Sequence, residues 1–400
     1  MPLQGPSRHG SLEDKQVLKA SHAILHKYIG VHVMKWYLVF VLLCVGCQRE
    51  IAPRIPPQRV AERPVLAGYW HNWKGSAGWL PLRDVPPIYD WVKIAFALPD
   101  ESGSGAITFR PDRRYAPGEF AREVAHLQQR GTRVILSIGG GRHPVVLQTR
   151  AMRKAFVESV LELCHHYRFD GIDLNLEGAS IVLDPDDLDF IKPTTPKIRN
   201  IIFAVQEIRS RTPDGFLITA SPETLPVTGG FGNYGGKAGG WLPILHHLRH
   251  ELDRVHIQLY NSGTQFALIR GDNPEQVRIV AQGTPEFVWG VTEMLIMGFP
   301  VNRKQPQWFP GLGANKVSIG LPASPSAAPS GGHIPPDELR PILTRLMTGR
   351  GRRRRQHPMR SPRGHPDLGG VMTWSINWDA RQEDGREAFE FGRNIHRMWL

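Results

Sequence analysis

A single (β/α)8 barrel is the fold class this sequence predicts, and three observations predict it. Eight short runs of β-type residues recur from Val65 onward. The segments between several of them carry helical periodicity. One run, the fourth, places polar side chains at period two on one face only. The runs are Val65–Trp70, Trp91–Leu98, Arg133–Gly139, Phe169–Glu177, Phe216–Glu223, Arg254–Asn261, Val317–Ala323 and Gly370–Trp378. Helices are predicted over Arg122–Arg130, Met152–Tyr167, Lys197–Thr212, Leu242–Leu252 and Pro335–Met347. Alternating β and α units are the pattern of a parallel barrel, whose active sites lie at the C-terminal ends of the strands.

The fourth run reads Phe-Asp-Gly-Ile-Asp-Leu-Asn-Leu-Glu over 169–177. Side chains alternate along a strand, so Asp173, Asn175 and Glu177 share one face and Ile172, Leu174 and Leu176 the other. A parallel strand covered by helices is apolar on both faces, so a polar face points into the mouth of a barrel. The alternative is a half-exposed antiparallel strand. Glu177, at the end of the run, is the candidate for the chemistry.

The other strand ends are also polar or aromatic: Tyr69-Trp70-His71-Asn72-Trp73, Ser221-Pro222-Glu223, Gln258-Leu259-Tyr260-Asn261 and Trp374-Ser375-Ile376-Asn377-Trp378-Asp379. Aromatic rings at strand tips suit sugars, because pyranose C–H faces stack on flat apolar rings while polar groups take the hydroxyls. Each Trp alone is as well explained as core. Together, at matching ends of a barrel, they point to a carbohydrate groove.

The formal charge is +12. Much of the excess falls between Arg350 and Arg363, where Arg352-Arg353-Arg354-Arg355 stands among Gly, Pro and Ser. Such a run (about 349–366) reads as a solvated loop, and no nucleic-acid partner is expected. Of three cysteines, Cys44 and Cys47 close an apolar N-terminal run, which leaves Cys164 without a partner in the folded body. From Met34 the run has a basic start, an apolar core and small residues before a cysteine. It resembles a bacterial lipoprotein signal over 34–47, lipidated at Cys47, with Cys44 where Leu is usual. The competing readings are a simple cleaved signal or an uncleaved anchor. Residues 1–33 then read as an extension from a start codon placed too early. Residues 48–64, rich in Pro and Arg, read as a tether, and 65–397 as the barrel. The expectation is an exported monomer, lipid-anchored to a bacterial (outer) membrane, otherwise periplasmic or secreted.

The chain is similar to glycoside hydrolase family 18, the chitinase family, whose strand-four signature is Asp-x-x-Asp-x-Asp-x-Glu. It stands here as Asp170-Gly171-Ile172-Asp173-Leu174-Asn175-Leu176-Glu177. Ser137-Ile138-Gly139-Gly140, Ala220-Ser221-Pro222-Glu223, Gln258-Leu259-Tyr260-Asn261 and Trp374 to Asp379 add to the resemblance in chain order. It implies a chitin or other N-acetylglucosamine substrate and no cofactor or metal. A standard retaining glycosidase uses two carboxylates about 5 Å apart. Position 175 is an amide and cannot be a nucleophile. The resemblance implies instead that the substrate's 2-acetamido oxygen attacks, while Glu177 protonates the leaving oxygen and later activates water. It further implies that Asp173 supports its strand neighbour, that Tyr260 bonds the acetamido carbonyl and that Trp374 floors the sugar site. Tyr69, Phe96, Asp170, Glu223, Gln258 and Asn261 complete the expected substrate-binding set.

Asn175 departs from the family's Asp. An amide oxygen still accepts a hydrogen bond but carries no charge to offset a developing cation. Three alternatives therefore stand beside a chitinase: a chitinase-like lectin with little turnover, an endo-β-N-acetylglucosaminidase acting on glycans, and conventional double displacement with Glu223 as nucleophile. The retained Glu177 favours an enzyme over a lectin.

Overall fold

The computed structural model describes residues 63–270, 276–302, 307–351, 359–383 and 385–399. The expected extension and signal lie outside them, as do the tether up to residue 62 and Arg352–Arg355. Eight parallel strands close on themselves: β1 (Val65–His71), β2 (Trp91–Pro99), β3 (Arg133–Gly139), β4 (Gly171–Asn175), β5 (Leu217–Ala220), β6 (Arg254–Gln258), β7 (Val317–Pro322) and β8 (Gly370–Trp374). Each pairs with the next, and β8 returns to β1 through Val65↔Gly370 to Gly68↔Thr373. The predicted (β/α)8 barrel is the fold observed.

Two cores follow from the strand alternation. Outward side chains such as Val92, Ile94, Ile172, Leu174 and Ile218 join the large core beneath the helices, whereas Ala67, Tyr69, Ala95 and Met372 form a small cluster inside the barrel. The rest of the interior is polar, and it carries the site. In β2 the register slips between Ile94 and Ala97. That irregularity turns both Ala95 and Phe96 toward the cleft while Ala97 rejoins the outer core.

The crossovers hold helices at Glu119–Gln129, Arg150–Tyr167, Pro196–Arg211, Leu242–His247, Pro285–Met297 and Pro336–Thr348. Thr149 caps the second by accepting from the Met152 N–H at 3.2 Å. The fourth is shorter than predicted, and Lys316 takes the carbonyls of Arg249 and Leu252 beyond its end. Between β1 and β2 there is only a 3-10 turn, Leu82–Asp84. A C-terminal helix, Glu390–Trp399, packs back against β1. Its Gly392 lies so close to Ile88 and Tyr89 that a Cβ would stand 2.9 Å from each.

Several features differ from expectation, the fifth and sixth strands among them, which end at Ala220 and Gln258. The fourth strand ends at Asn175, and Glu177 continues extended (φ −120°) as the residue entering a 3-10 turn. The expected eighth strand becomes a helix after Trp374, Ile376–Ala380, capped by Ser375. The β6-to-β7 crossover contains two antiparallel hairpins, Thr264–Ile269 with Gln276–Ala281 and Phe299–Val301 with Gln307–Phe309. The basic segment is not wholly a solvated loop. Arg360 is buried, its Nη1 donating to the Gly298 carbonyl at 2.7 Å and its N–H to Glu293 at 2.7 Å.

Candidate active site

The C-terminal ends of the strands surround a cleft of about 1150 Å³. Trp73, Phe96, Asn175, Glu177, Gln258, Tyr260, Asn261 and Trp374 line it, and the lining extends past Asp100, Glu101, Arg110, Arg142 and His143. An aromatic wall rises on one side. Phe96 stacks on Trp374 with centroids 5.9 Å apart and planes 11° apart, and Trp73 stacks on Phe96 at 6.1 Å. Such a wall presents flat apolar rings to a sugar face.

Glu177 is positioned by the backbone around it. The Leu176 carbonyl accepts from the Trp241 indole N–H at 3.2 Å, and the Glu177 carbonyl from the Ser180 N–H at 3.1 Å. Gln258 Nε2 donates to Glu177 Oε1 at 3.3 Å, to Asn175 Oδ1 at 3.1 Å and to the Ser221 carbonyl at 2.8 Å. One amide thus ties β4 to the ends of β5 and β6. Burial first, and the nearby charge of Glu223 second, push Glu177 up to about 7, against the pull of Gln258, Lys237 and Asn175. An acid still protonated near neutrality can donate a proton to a leaving group. Burial, and then the charge of Glu177, hold the Tyr260 phenol well above its ordinary range. Its hydroxyl is a fixed donor.

Glycine makes room for that carboxyl. After β3 the chain runs Gly139-Gly140-Gly141. Gly139 and Gly140 take positive φ (106° and 92°), and a Cβ on Gly140 would meet the Phe96 ring at 3.0 Å. A Cβ on Gly141 would stand 2.9 Å from Glu177 Oε2. Gly141→Ala is therefore expected to leave the melting temperature nearly unchanged, since a carboxyl tip can yield, while kcat falls roughly ten- to a hundredfold as the acid is displaced. Steady-state kinetics with a thermal melt check this.

Beneath the lining lies a sealed polar layer. Asp173, 0% exposed, accepts from Tyr69 Oη (2.7 Å), Lys93 Nζ (2.8 Å), Ser137 Oγ (2.8 Å), Thr219 Oγ1 (2.6 Å) and Ser221 Oγ (3.1 Å). Burial acts to raise Asp173, but Lys93 and these hydroxyls outweigh it and hold the carboxyl below its usual range. Asp173 is thus held as an anion. Tyr69, also 0% exposed, lies in this layer edge-on to Trp374 (centroids 5.3 Å), beneath the cleft lining.

Asp170 is not in the site. It precedes β4, where its Oδ2 accepts from the Val134 N–H at 2.8 Å and Gln128 Nε2 at 2.9 Å, at the N-terminal end of the barrel. Glu223 stands at the rim, its Oε1 taking Lys237 Nζ at 3.2 Å. Asn261 lines the cleft with φ 51°, a left-handed conformation Asn tolerates, and its Oδ1 accepts from the Ser330 N–H at 3.1 Å. Trp73, one of the strand-end aromatics, does line the cleft; sequence reasoning missed Lys93 and Gly141.

Residues 65–281 match the family model of Glycosyl hydrolases family 18. Chitinase D of Niallia circulans is 39% identical over 84% of this chain and 61% of its own length, and Chitinase Chi52 of Paenibacillus xylanexedens is 39% identical over 79% and 58%. The chain thus spans about three fifths of these curated relatives. The crystal structure of a family GH18 chitinase from Chromobacterium violaceum superposes with TM-score 0.73 at 32% identity, covering 84% of this chain and 83% of that one. With a closed eight-stranded barrel and the family model matching more than half of its length, the chain belongs to glycosyl hydrolase family 18.

Proposed function

We propose that the protein hydrolyses β-1,4-linked N-acetylglucosamine polymers or oligomers by substrate-assisted retaining catalysis, with Glu177 as general acid and base. The observation that carries this reading is one raised carboxyl facing an aromatic cleft while its strand neighbours are disqualified as nucleophiles. Asn175 is an amide, and Asp173 is sealed behind five donors. The acetamido carbonyl oxygen of the bound sugar, held by Tyr260, attacks C1. The C1–O glycosidic bond breaks as the Glu177 proton passes to the leaving oxygen. Water then attacks C1, giving a proton to the Glu177 carboxylate as the C1–acetamido oxygen bond opens. Trp374 floors the reacting sugar, with Phe96 and Trp73 continuing the wall. Glu223 as a conventional nucleophile is disfavoured by its ion pair with Lys237 at the rim.

Product analysis on chitooligosaccharides, glycopeptides and peptidoglycan side by side tests the substrate class. Release of N-acetylglucosamine oligomers from the first is expected, and cleavage of the glycopeptides alone would move the assignment to an endo-β-N-acetylglucosaminidase. Binding of the oligomers without products would make the protein a lectin. A thiazoline that mimics the cyclised acetamido group should inhibit; indifference to it would point to Glu223.

Asn175→Asp is expected to raise kcat on chitooligosaccharides with little change in KM, because a carboxylate there offsets charge that develops in the transition state. Initial rates across pH check this. A slower variant would mean that repulsion from Asp173 and Glu177 outweighs the gain, since the carboxylate still accepts from Gln258. For location, we propose lipidation at Cys47, supported by the run from Met34 and tested by mass spectrometry of the native N-terminus; a terminus at another residue would contradict it.

A further inference from the structure

Lys93 stands at an inward position of β2, 0% exposed, in a run that is otherwise Trp-Val-x-Ile-Ala-Phe-Ala-Leu. Lysine is almost never fully buried unless paired. Its ammonium donates to Asp173 Oδ1 and to Ser221 Oγ, both at 2.8 Å, and sits 5.2 Å from the centroid of the Tyr69 ring. Asp173 in turn takes the Tyr69 hydroxyl, and the Tyr69 ring lies edge-on to Trp374. Ser221, the other acceptor, offers its carbonyl to Gln258, the amide that holds Asn175 and Glu177. One buried cation therefore reaches the sugar floor by one route and the acid by another. A filler would be served by an apolar side chain without the cost of burying a charge.

We propose that Lys93 is a positioning residue of the glycosidase reaction, the fixed counter-charge that balances an Asp173 anion also held by four hydroxyls, and that locks Tyr69 and Ser221 beneath Trp374 and Glu177. This inference rests on the reading of Glu177 as the acid. The charged and titratable groups facing the layer are Tyr69 on β1, Asp173 on β4, Arg254 and His256 on β6 and Tyr260 beyond β6; Glu223 and Lys237 act on Glu177 from the rim. Burial draws Lys93 down to about 8 against the pull of Asp173, so it is charged at neutral pH. Without that charge the Asp173 anion is uncompensated. It then acts on Glu177 from below and disfavours its ionisation.

Four full-length proteins test this: wild type, Lys93→Met, Lys93→Gln and Lys93→Met/Asp173→Asn. The readouts are kcat and KM on a chitooligosaccharide across pH and a ¹³C-carboxyl NMR titration of Glu177, assigned with Glu177→Gln. Lys93→Met should lower kcat at least tenfold with KM within about threefold, and should move the Glu177 titration and the alkaline limb upward. Lys93→Gln keeps a donor to Asp173 but not the charge, so it should show the same upward shift and stands in if Lys93→Met does not fold. The double variant removes both charges and should return the titration to its wild-type position, even with kcat still reduced. A Glu177 titration unmoved in both Lys93 variants would overturn the proposal, as would a double variant displaced as far as the single ones. If wild type cleaves no N-acetylglucosamine oligomer, the functional reading fails, while the NMR titration still decides whether Lys93 sets the state of Glu177.

Discussion

Glu177→Gln is expected to lower kcat on N-acetylglucosamine oligomers at least about a hundredfold, the usual contribution of a general acid. The amide keeps the shape of the side chain and its contact with Gln258, so oligosaccharide affinity measured by calorimetry should change little. The pH dependence follows from the same group. Burial and Glu223 raise Glu177 to about 7, and the reaction needs its proton, so activity should fall as pH rises through that value. The alkaline limb belongs to this carboxyl and should vanish from the residual activity of the variant. Near wild-type turnover on a substrate with a poor leaving group would assign the acid elsewhere.

Asp173→Ala is expected to cost about 3–5 kcal/mol of stability at neutral pH, because removing one partner of a buried pair strands the other. Lys93 is 0% exposed and would keep only its Ser221 contact. Tyr69, Ser137 and Thr219 would lose their shared acceptor as well. The sign of the pH dependence can be worked out. With Asp173 gone, burial alone acts on Lys93, and its folded pKa drops further below the unfolded value of about 10.4. Between those two values the unfolded chain binds more protons, so stability rises with pH. Wild-type Lys93 makes the same gain only above its own value of about 8, so the melting-temperature gap to wild type should narrow from pH 6 to about pH 8 and stay constant beyond it. A loss below about 1 kcal/mol, with no such narrowing, would show that Asp173 does not anchor the barrel interior.

Much of this was legible in the chain because strand alternation is a geometric constraint. Asp173, Asn175 and Glu177 do face inward, and Ile172 and Leu174 do join the outer core. The same geometry explains the misplaced Asp170. It lies seven positions before Glu177, and at about 3.3 Å per residue it belongs to the opposite end of the strand. Lys93 carried a signal that was passed over, a lone charge at an inward position of an apolar strand. Gly141 lies in the loop after β3, where no periodicity marks which residue borders the cleft. The helix Pro285–Met297 escaped because every residue from Phe287 to Ile296 is buried. A helix covered on all sides has no amphipathic period. The slip in β2 that brings Phe96 into the cleft depends on pairing with β3, which a single strand's sequence does not contain.

The central claim is that the substrate's own acetamido group supplies the nucleophile that Asn175 and Asp173 cannot. It is tested most directly by comparing cleavage of a fully N-acetylated glucosamine hexamer with cleavage of the same hexamer lacking its acetyl groups, the products being separated by chromatography. Cleavage of the acetylated hexamer alone is the expected result. Comparable cleavage of both would contradict substrate assistance and require a carboxylate nucleophile in the cleft.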